Sequence, residues 1–348
     1  MNTAILQSWF EASSVLQLLP GDQVLIISDF HIGNGSRTDD MVRNQNLVED
    51  LLEYYYLPRN YYLVLNGDIE ELQRYSLSQV TTYWSRLYKI FDAFYLRRHL
   101  YKLIGNHDED LLYERSYPYP MLGSLRIDTP RIPVFVLHGH QTSKMYTRYN
   151  NLIQLGLRYL VKPLGIKNIS SARSPRRRFF VEKQAYEYAR AKKLITVIGH
   201  THRPLFESLG RYDYIKFEIE RLCREYPQTQ DLETRQRIAQ EVQNLRGELA
   251  KLKKSERRDS IKQSLYGDEL PVPCLFNSGT AIGKKGITAI ELDRESISLV
   301  YWFSEGKSKK FVQRGSYTIE ALSGTEHYRT VLNTDTLEYV QAKIELLG

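Results

Sequence analysis

Short apolar runs alternate with segments of helical spacing along the first third of the chain. The runs at 24–28, 61–66 and 99–104 are each followed at once by polar residues, as expected of buried strands that end in loops. Between them, apolar residues recur with the spacing of amphipathic helices. Two such series are Val48, Leu51, Leu52 and Tyr55, and Val80, Trp84, Leu87, Phe91 and Phe94. This alternation of strand and helix favours a largely parallel sheet.

The later part of the chain adds further strands and two long segments of helical spacing. Residues 141–192 are rich in Arg and Lys, and residues 214–266 carry two apolar stripes joined by a short turn, which predicts a helical hairpin. The remaining pattern predicts strands at 132–137, 194–198, 274–277, 287–292 and 296–303. It also predicts one helix over residues 1–20 and helical structure over the final 30 residues. We therefore predict one main domain, formed by 1–213 and 267–348, with both segments as insertions.

Potential metal ligands follow the ends of five of these strands. In chain order they are Asp29 and His31, Asp68, Asn106 and His107, His138 and His140, and His200 and His202. Six of the eight histidines lie at these junctions, whereas scattered structural histidines would not concentrate there. Residues beyond the carboxyl ends of neighbouring parallel strands can converge on one site.

The chemistry of these side chains predicts a metal centre. A mixture of imidazole and carboxylate suits Mn, Fe or Zn, whereas an all-oxygen set would favour Mg or Ca. The ligands are too numerous for one ion at usual coordination numbers. Two ions a few ångströms apart form a clamp for in-line phosphoryl transfer, so the pattern predicts that chemistry.

The composition limits the class of protein. The chain has 348 residues, of which 42% are hydrophobic and 26% charged, as in a soluble globular protein. Its net charge of +7 suits an anionic or phosphorylated partner. Cys223 and Cys274 are too few for a disulfide framework, and no apolar stretch reaches the roughly 18–20 residues that span a bilayer. The N-terminus lacks a basic leader followed by an apolar core, so a cytoplasmic protein is expected.

Five ordered segments of the chain resemble the motifs of the calcineurin-like metallophosphoesterases. They are Asp29-Phe30-His31, Gly67-Asp68, Gly105-Asn106-His107-Asp108, His138 and Gly199-His200-Thr201-His202. The resemblance implies an α/β (α+β) fold in which two mixed β-sheets pack as a sandwich flanked by helices, with helical insertions and a dinuclear metal site at one edge. It also implies a hydrolase that cleaves a phosphoester or pyrophosphate bond.

The resemblance further implies a role for each site residue. The ligands would be Asp29, His31 and His202 for the first ion, Asn106, His138 and His200 for the second, and Asp68 as the bridge. His107 would donate a proton to the leaving oxygen, a role worth on the order of 10²–10⁴ in rate, and Asp108 would orient it. A metal-bridging hydroxide would be the nucleophile, because bound metal lowers the pKa of water. Mn is expected first, with Fe, Zn or Co as alternatives.

Three assignments near the site stay open. His140 is an alternative to His138 as a ligand, and otherwise contacts the substrate or supports the ligands. Glu70 and Glu71 either form a structural salt bridge or take part in the site. Arg37 is either a phosphate contact or a solvated surface side chain.

The insertions are the expected source of substrate specificity. In position, the basic segment 141–192 resembles the helical lid of UDP-2,3-diacylglucosamine hydrolases, which cleave a pyrophosphate and shelter acyl chains. The resemblance implies a phosphorylated small molecule or a lipid-linked pyrophosphate as substrate. It also implies contact of residues 152–178 with a membrane surface, and hence a cytoplasmic protein peripheral to the membrane. The hairpin at 214–266 is interpreted as an element for self-association or as part of a lid, and the alternative is an extended loop that folds on the main domain.

Two alternative functions remain. Basic residues at 173–178 and 251–258 favour a nuclease or phosphodiesterase that acts on nucleic acid, although no alternation of aromatic and basic residues supports base stacking there. A non-catalytic scaffold of the same fold would have lost ligands, whereas every ligand position is filled in this chain.

Overall fold

The computed structural model describes residues 3–142, 175–252, 271–308, 312 and 317–348. Most of the predicted basic insertion and the end of the predicted hairpin therefore lie outside the described residues. So do the basic residues 253–258 and much of 152–178, on which the nucleic-acid and membrane hypotheses depend. The division into one domain with two insertions stays a prediction.

Strands and helices alternate through the first half of the described chain. The strands are β1 (Ser14–Gln17), β2 (Val24–Ile27), β3 (Tyr62–Asn66), β4 (Leu100–Leu103), β5 (Met121–Leu122), β6 (Leu125–Asp128), β7 (Val134–Val136), β8 (Ile195–Ile198), β9 (Leu275–Asn277), β10 (Ile287–Leu292), β11 (Ser296–Ser304), β12 (Ile319–Ala321) and β13 (His327–Thr336). The α-helices are α1 (Thr3–Glu11), α2 (Gln45–Asp50), α3 (Leu77–Tyr83), α4 (Ser85–Leu96), α5 (Pro175–Lys192), α6 (Arg211–Glu225), α7 (Leu232–Lys251) and α8 (Leu337–Leu347). A π-helical turn, Leu51–Tyr56, continues α2.

The strands form two mixed sheets, which confirms the predicted fold class. The larger sheet has the order β12-β13-β11-β10-β2-β3-β4-β5, with β2 to β5 parallel and β10 to β13 antiparallel. The smaller sheet has the order β1-β6-β7-β8-β9, with β7 to β9 parallel. The carboxyl ends of β2, β3 and β4 therefore lie side by side in one sheet, and those of β7 and β8 in the other.

The central strand β2 shows how the core is divided. Val24 and Ile26 pack into a cluster shared with strands of the smaller sheet, which fills the space between the sheets. Leu25 and Ile27 point the other way, into a cluster shared with α2, α3 and α4. Because β2 is buried on both faces, its sequence is a continuous apolar run rather than an alternating one. Helices thus flank the sandwich, as predicted.

The helix predicted over Val80 to Phe94 is two helices, which meet at Trp84. Ser76 caps α3: its hydroxyl accepts the backbone N–H of Gln79, whose side chain in turn accepts the backbone N–H of Ser76. Trp84 leaves the helical conformation between α3 and α4, yet its side chain is fully buried. The apolar spacing continues across the break because both helices pack on the same cluster.

The predictions for the two ends of the chain are partly wrong. The N-terminal helix ends at Glu11, and β1 follows it within the segment predicted as helical. Of the final 30 residues, only Leu337–Leu347 form a helix, whereas β12 and β13 precede it. β13 pairs with β11 along its length. Most of its side chains are half-buried, and buried and exposed positions do not strictly alternate. Its sequence therefore lacks the alternating pattern by which a strand is predicted.

The helices α6 and α7 pack against each other through a small apolar cluster of their own. Its buried members are Ile215 and Leu222 on α6, and Ile238 and Leu245 on α7. Asp231 begins α7 by accepting the backbone N–H of Thr234 at 2.8 Å. This geometry matches the helical part of the predicted hairpin; a role in self-association stays a prediction. Within the described residues, no helix combines the length and apolarity needed to cross a membrane.

Candidate metal centre

The strand order brings all five motifs to one place. β2 and β3 pair in parallel, as do β3 and β4, so the loops that follow them carry Asp29, Asp68 and Asn106 next to one another. β7 and β8 also pair in parallel, which places His138 beside the loop that holds His200. The ligands from the two sheets meet at the carboxyl ends of their strands, the usual place for sites in such sheets.

One group of ligand atoms comes from Asp29, His31 and His202, and these atoms lie within 4.8 Å of one another. The Nε2 atom of His202 is 3.0 Å from Oδ1 of Asp29 and 3.2 Å from Nε2 of His31. Asp29 and His31 are buried, and His202 is half-buried. Two imidazole nitrogens and a carboxylate oxygen that converge on one point suit a divalent transition-metal ion.

A second group comes from Asp68, His138 and His200, again within 4.8 Å. Nδ1 of His138 is 2.7 Å from the carbonyl oxygen of Asn66, so this nitrogen carries the proton and donates it. Nε2 of His138 therefore faces Asp68, with 3.1 Å to Oδ2. The same carboxylate oxygen is 3.9 Å from Nε2 of His31, so Asp68 connects the two groups.

Asn106 contributes a further oxygen to this site. Its Oδ1 atom is buried, and no residue in the described part of the chain donates a hydrogen bond to it. A buried acceptor without a donor is costly unless another group satisfies it. A metal ion would do so, and the mixture of carboxylate, imidazole and amide ligands fits a pair of divalent ions.

Left-handed backbone aims the ligands into the site. The φ angles of Asp29, His31, Asp68, His200 and His202 are 57°, 48°, 52°, 62° and 55°. Such conformations are unfavourable for residues with a Cβ, by about 1–3 kcal/mol each, and persist only where the surroundings hold them. Here the loops hold each other: the N–H of Asp29 donates to Gly67 O, and that of His31 to Asp68 O.

Glycine is required where these loops cross. A Cβ on Gly105 would lie 2.2 Å from the backbone nitrogen of Asp68, and one on Gly199 would lie 2.8 Å from Oδ2 of Asp29. Both are closer than packed atoms approach, so any side chain at either position would displace a ligand. The glycines of these two motifs thus serve the close packing of the ligand loops.

The charges of the site favour ionised carboxylates. Burial alone would raise the pKa of Asp68, but the charge of His138 and its hydrogen bond hold that pKa well below its usual value. Burial lowers the pKa of His138, yet Asp68 outweighs this and raises it to about 9. Burial and the neighbouring His138 lower the pKa of His200 to about 3, so this imidazole is neutral and ready to bind.

Glu71 links the predicted acid to a predicted ligand. Its Oε1 atom is 2.8 Å from Nδ1 of His107, and its Oε2 atom is 3.1 Å from Nδ1 of His31. Burial would raise the pKa of Glu71, but the hydrogen bonds with the two rings lower it to about 2. From the sequence, Glu71 could form a structural salt bridge or take part in the site. In the structure it lies in the site and fixes the orientation of both rings.

The prediction that Asp108 orients His107 is wrong. Its Oδ1 atom accepts the N–H of Gly105 at 2.6 Å, while its Oδ2 atom accepts the N–H of Ile69 at 2.8 Å and a proton of Lys102 Nζ at 2.6 Å. Asp108 therefore ties together the loops that follow β3 and β4. Adjacent residues in a loop point in different directions, so being next to His107 in sequence did not place it next to the ring.

Lys102 is a buried cation beneath these loops. Its Nζ atom also lies 3.1 Å from Oε2 of Glu70, and all three side chains are fully buried. We predict that Lys102→Met, which leaves two buried carboxylates without a cation, lowers the free energy of unfolding by about 3–5 kcal/mol. Denaturant unfolding measures this, with the exposed Lys89→Met as control. An equal, small loss in both variants would contradict the prediction.

Glu71→Gln provides a further test. Burial lowers the pKa of His107, but Glu71 and Asp68 outweigh this and raise it above its usual value. Without the Glu71 charge the pKa of His107 falls, so the protonated form disappears at lower pH. We expect turnover to drop about 10–100-fold and its alkaline limb to move to lower pH. The surface variant Glu53→Gln should change neither, and an unmoved alkaline limb in Glu71→Gln would contradict the assignment.

Two tentative contacts differ in their positions. His140 is buried, and its ring centroid is 5.4 Å from that of His138 and 6.3 Å from that of His200. Because His138 and not His140 belongs to the converging ligand groups, the geometry favours His138 as the ligand. Arg37 is exposed in the loop after β2, and its contact with phosphate stays a prediction.

Fold and site together define a metal-dependent hydrolase of phosphoric esters. The sequence profile of the calcineurin-like phosphoesterases matches residues 23–231, and the chain belongs to this family. No curated protein matches the chain at a significant level. Kinship with the UDP-2,3-diacylglucosamine hydrolases stays a prediction.

Three solved structures are distantly similar. A single mutant of Vps29 from Entamoeba histolytica has a TM-score of 0.36 at 11% identity, covering 89% of this chain and 99% of that one. Yfce, a phosphoesterase from E. coli, has a TM-score of 0.35 at 11% identity, covering 90% and 99%. A predicted phosphoesterase from Streptococcus pneumoniae has a TM-score of 0.29 at 11% identity, covering 81% and 89%.

Proposed function

We propose that this chain hydrolyses a phosphoester or pyrophosphate bond with two divalent metal ions held on either side of Asp68. The observation that carries the proposal is the pair of converging ligand groups, Asp29 with His31 and His202, and Asp68 with His138 and His200. Asp68 faces both groups, at 3.1 Å from His138 and 3.9 Å from His31. The bound ions would polarise the phosphoryl oxygens and supply a water of lowered pKa for the attack.

The protein side chains would position the ions and handle the proton. Asp29 accepts the backbone N–H of His200 at 3.0 Å, so a ligand of the first ion also fixes the loop of the second. His107 lies beside this centre, and its backbone N–H donates to Oδ1 of Asp68 at 2.8 Å. The acid and the shared carboxylate are thus held in one rigid arrangement, which favours reaction at a fixed geometry.

His107 is proposed as the general acid. Glu71 binds its Nδ1–H, which leaves the Nε2 proton for the leaving oxygen of the ester. Its raised pKa favours the protonated ring, the form that an acid requires. When the ester bond breaks, the leaving oxygen takes that proton, and the imidazolium becomes a neutral imidazole with Glu71 still on its other nitrogen.

Manganese is the proposed metal, with Fe, Zn and Co as alternatives, because the donor set suits all of them. The proposed substrate is a phosphorylated small molecule or a lipid-linked pyrophosphate. Support for the substrate comes only from the position of the basic segment 141–192 directly after the motif that holds His138.

A substrate panel on manganese-loaded protein tests the proposal. It would comprise p-nitrophenyl phosphate, bis-p-nitrophenyl phosphate, dinucleotides, a lipid-linked pyrophosphate, and DNA and RNA oligonucleotides, with metal content measured on the same samples. Turnover of one class by protein that holds two ions supports the proposal and identifies the bond. Metal-loaded protein that is no more active than Asp68→Asn on every substrate would overturn it.

A further inference from the structure

Glu182 is a fully buried carboxylate on α5, in contact with the loop of the last two ligands. Its Oε1 atom accepts the hydroxyl of Thr201 at 2.8 Å and the Nε–H of Arg203 at 3.2 Å. Its Oε2 atom accepts an Nη2–H of the same guanidinium. Thr201 stands between His200 and His202, and Arg203 follows directly. Glu182 is therefore bound on both sides of His202.

The hydroxyl of Thr201 has a fixed polarity. The side-chain N–H of Asn277, at the end of β9, donates to this hydroxyl at 2.8 Å and to Gly199 O at 3.1 Å. Since Asn277 occupies a lone pair of the hydroxyl oxygen, its single proton is directed at Glu182. The loop is thus clamped between β9 on one side and α5 on the other.

This clamp acts where the backbone is strained. His200 and His202 have φ angles of 62° and 55°, which are unfavourable for residues with a Cβ. If the loop relaxed, both imidazoles would turn away from the carboxylates they now face. For His202 that partner is Asp29, whose Oδ1 lies 3.0 Å from Nε2. Contacts outside the loop must therefore hold it in place.

We propose that Glu182 is a positioning residue of the metal centre. It touches no ligand atom itself; it holds Thr201 and Arg203 so that His200 and His202 stay directed at the ions. This inference rests on the proposed metal centre. It adds that α5, at the end of the predicted basic insertion, is coupled to that centre through one buried carboxylate.

A buried carboxylate that only stabilises the fold provides a matched control for Glu182. Glu291 on β10 is also a buried carboxylate that binds an arginine in a fork, here Arg329 of β13. Its other hydrogen bond comes from the hydroxyl of Tyr56, so its partners are not metal ligands. Breaking this pair should cost stability through the same physics without reaching the metal centre.

Calorimetric titration of metal-free protein with Mn²⁺, together with thermal unfolding, separates these roles. We expect Glu182→Gln to bind Mn²⁺ about 10–100-fold more weakly than the wild type, because the amide breaks the fork with Arg203 and loosens both imidazoles. Turnover should recover as Mn²⁺ is raised. Glu291→Gln should unfold at a lower temperature but keep the wild-type affinity for Mn²⁺.

Each result has a definite meaning. Wild-type affinity in Glu182→Gln, or equal losses of affinity in Glu182→Gln and Glu291→Gln, would overturn the inference. If Glu182→Gln does not fold, Arg203→Lys decides, because it keeps the charge and removes the fork: weaker Mn²⁺ binding supports the inference and unchanged binding overturns it. A wild-type protein that binds no Mn²⁺, Fe²⁺, Zn²⁺ or Co²⁺ would instead overturn the metal centre itself.

Discussion

Asp68→Asn is expected to hold at most one metal ion per chain and to lose hydrolysis down to the level of the metal-free protein. Asp68 is the carboxylate that faces both ligand groups, through His138 at 3.1 Å and His31 at 3.9 Å. Its negative charge offsets part of the repulsion between two divalent ions held a few ångströms apart. Asparagine has nearly the same shape, so the change removes this charge with little change in packing.

The amide has a second effect at this position. The asparagine side chain carries an NH2 group in place of one carboxylate oxygen, and this group donates hydrogen bonds and cannot bind a cation. Where that group faces Nε2 of His138, it occupies the lone pair that the second ion needs. The number of metal ions per chain after dialysis, measured by elemental analysis, therefore tests the prediction most directly. Turnover of p-nitrophenyl phosphate tests the predicted loss of hydrolysis.

Asp50→Asn is a suitable control. Asp50 is a largely buried carboxylate on α2, and its Oδ2 atom lies 3.2 Å from Nε2 of His327. Its ion-pair partners, His327 and Arg86, are not in the ligand loops. This variant should keep the metal content of the wild type. Two ions per chain in Asp68→Asn would show that the carboxylate does not bridge them.

The ligand loops were predictable because their strands are short, apolar and buried on both faces. A run such as Val24 to Ile27 has a clear end, and the polar residue that follows it must lie at the edge of the sheet. The parallel pairing of β2, β3 and β4, which the alternation of strand and helix favours, then brings Asp29, Asp68 and Asn106 together. Local pattern and topology agree here, so sequence was sufficient.

The partners of the ligands could not be predicted in the same way. Glu71 reaches His107 because the loops after β3 and β4 run side by side, with the backbone N–H of Leu72 donating to His107 O at 3.1 Å, and no periodic pattern marks such a contact. Asp108 looked like the partner because it is adjacent in sequence, but its oxygens are taken by Lys102 and two backbone N–H groups. Side-chain direction in irregular loops depends on tertiary contacts.

The helix α5 gives a second example of that limit. Glu182 reads as one charged residue in a basic helix, yet it is fully buried against the loop of His200 and His202. A carboxylate is needed there because Thr201 and Arg203, which the fold brings to α5, both donate to it. Sequence thus predicted the residues that would touch the ions more readily than those that hold them in place.

His107→Ala is expected to keep both metal ions and to slow the reaction on the order of 10²–10⁴-fold for esters with poor leaving groups. A leaving oxygen of high pKa must receive a proton as the bond breaks, whereas p-nitrophenolate leaves readily without one. The loss should therefore be larger for phenyl phosphate than for p-nitrophenyl phosphate. Because the protonated ring is the active form, the wild-type alkaline limb due to His107 should also disappear.

The geometry leaves one rival role for His107, which metal analysis of the same variant decides. His31, Asp68 and His107 also form a group of possible ligand atoms within 4.8 Å of one another. If His107 were a ligand, His107→Ala would lose metal, and the rates for both esters would fall by the same factor. His99 lies against the ring of Tyr62 outside the site, so His99→Ala should leave metal content and both rates unchanged. Full metal content with a loss that depends on the leaving group identifies His107 as the acid.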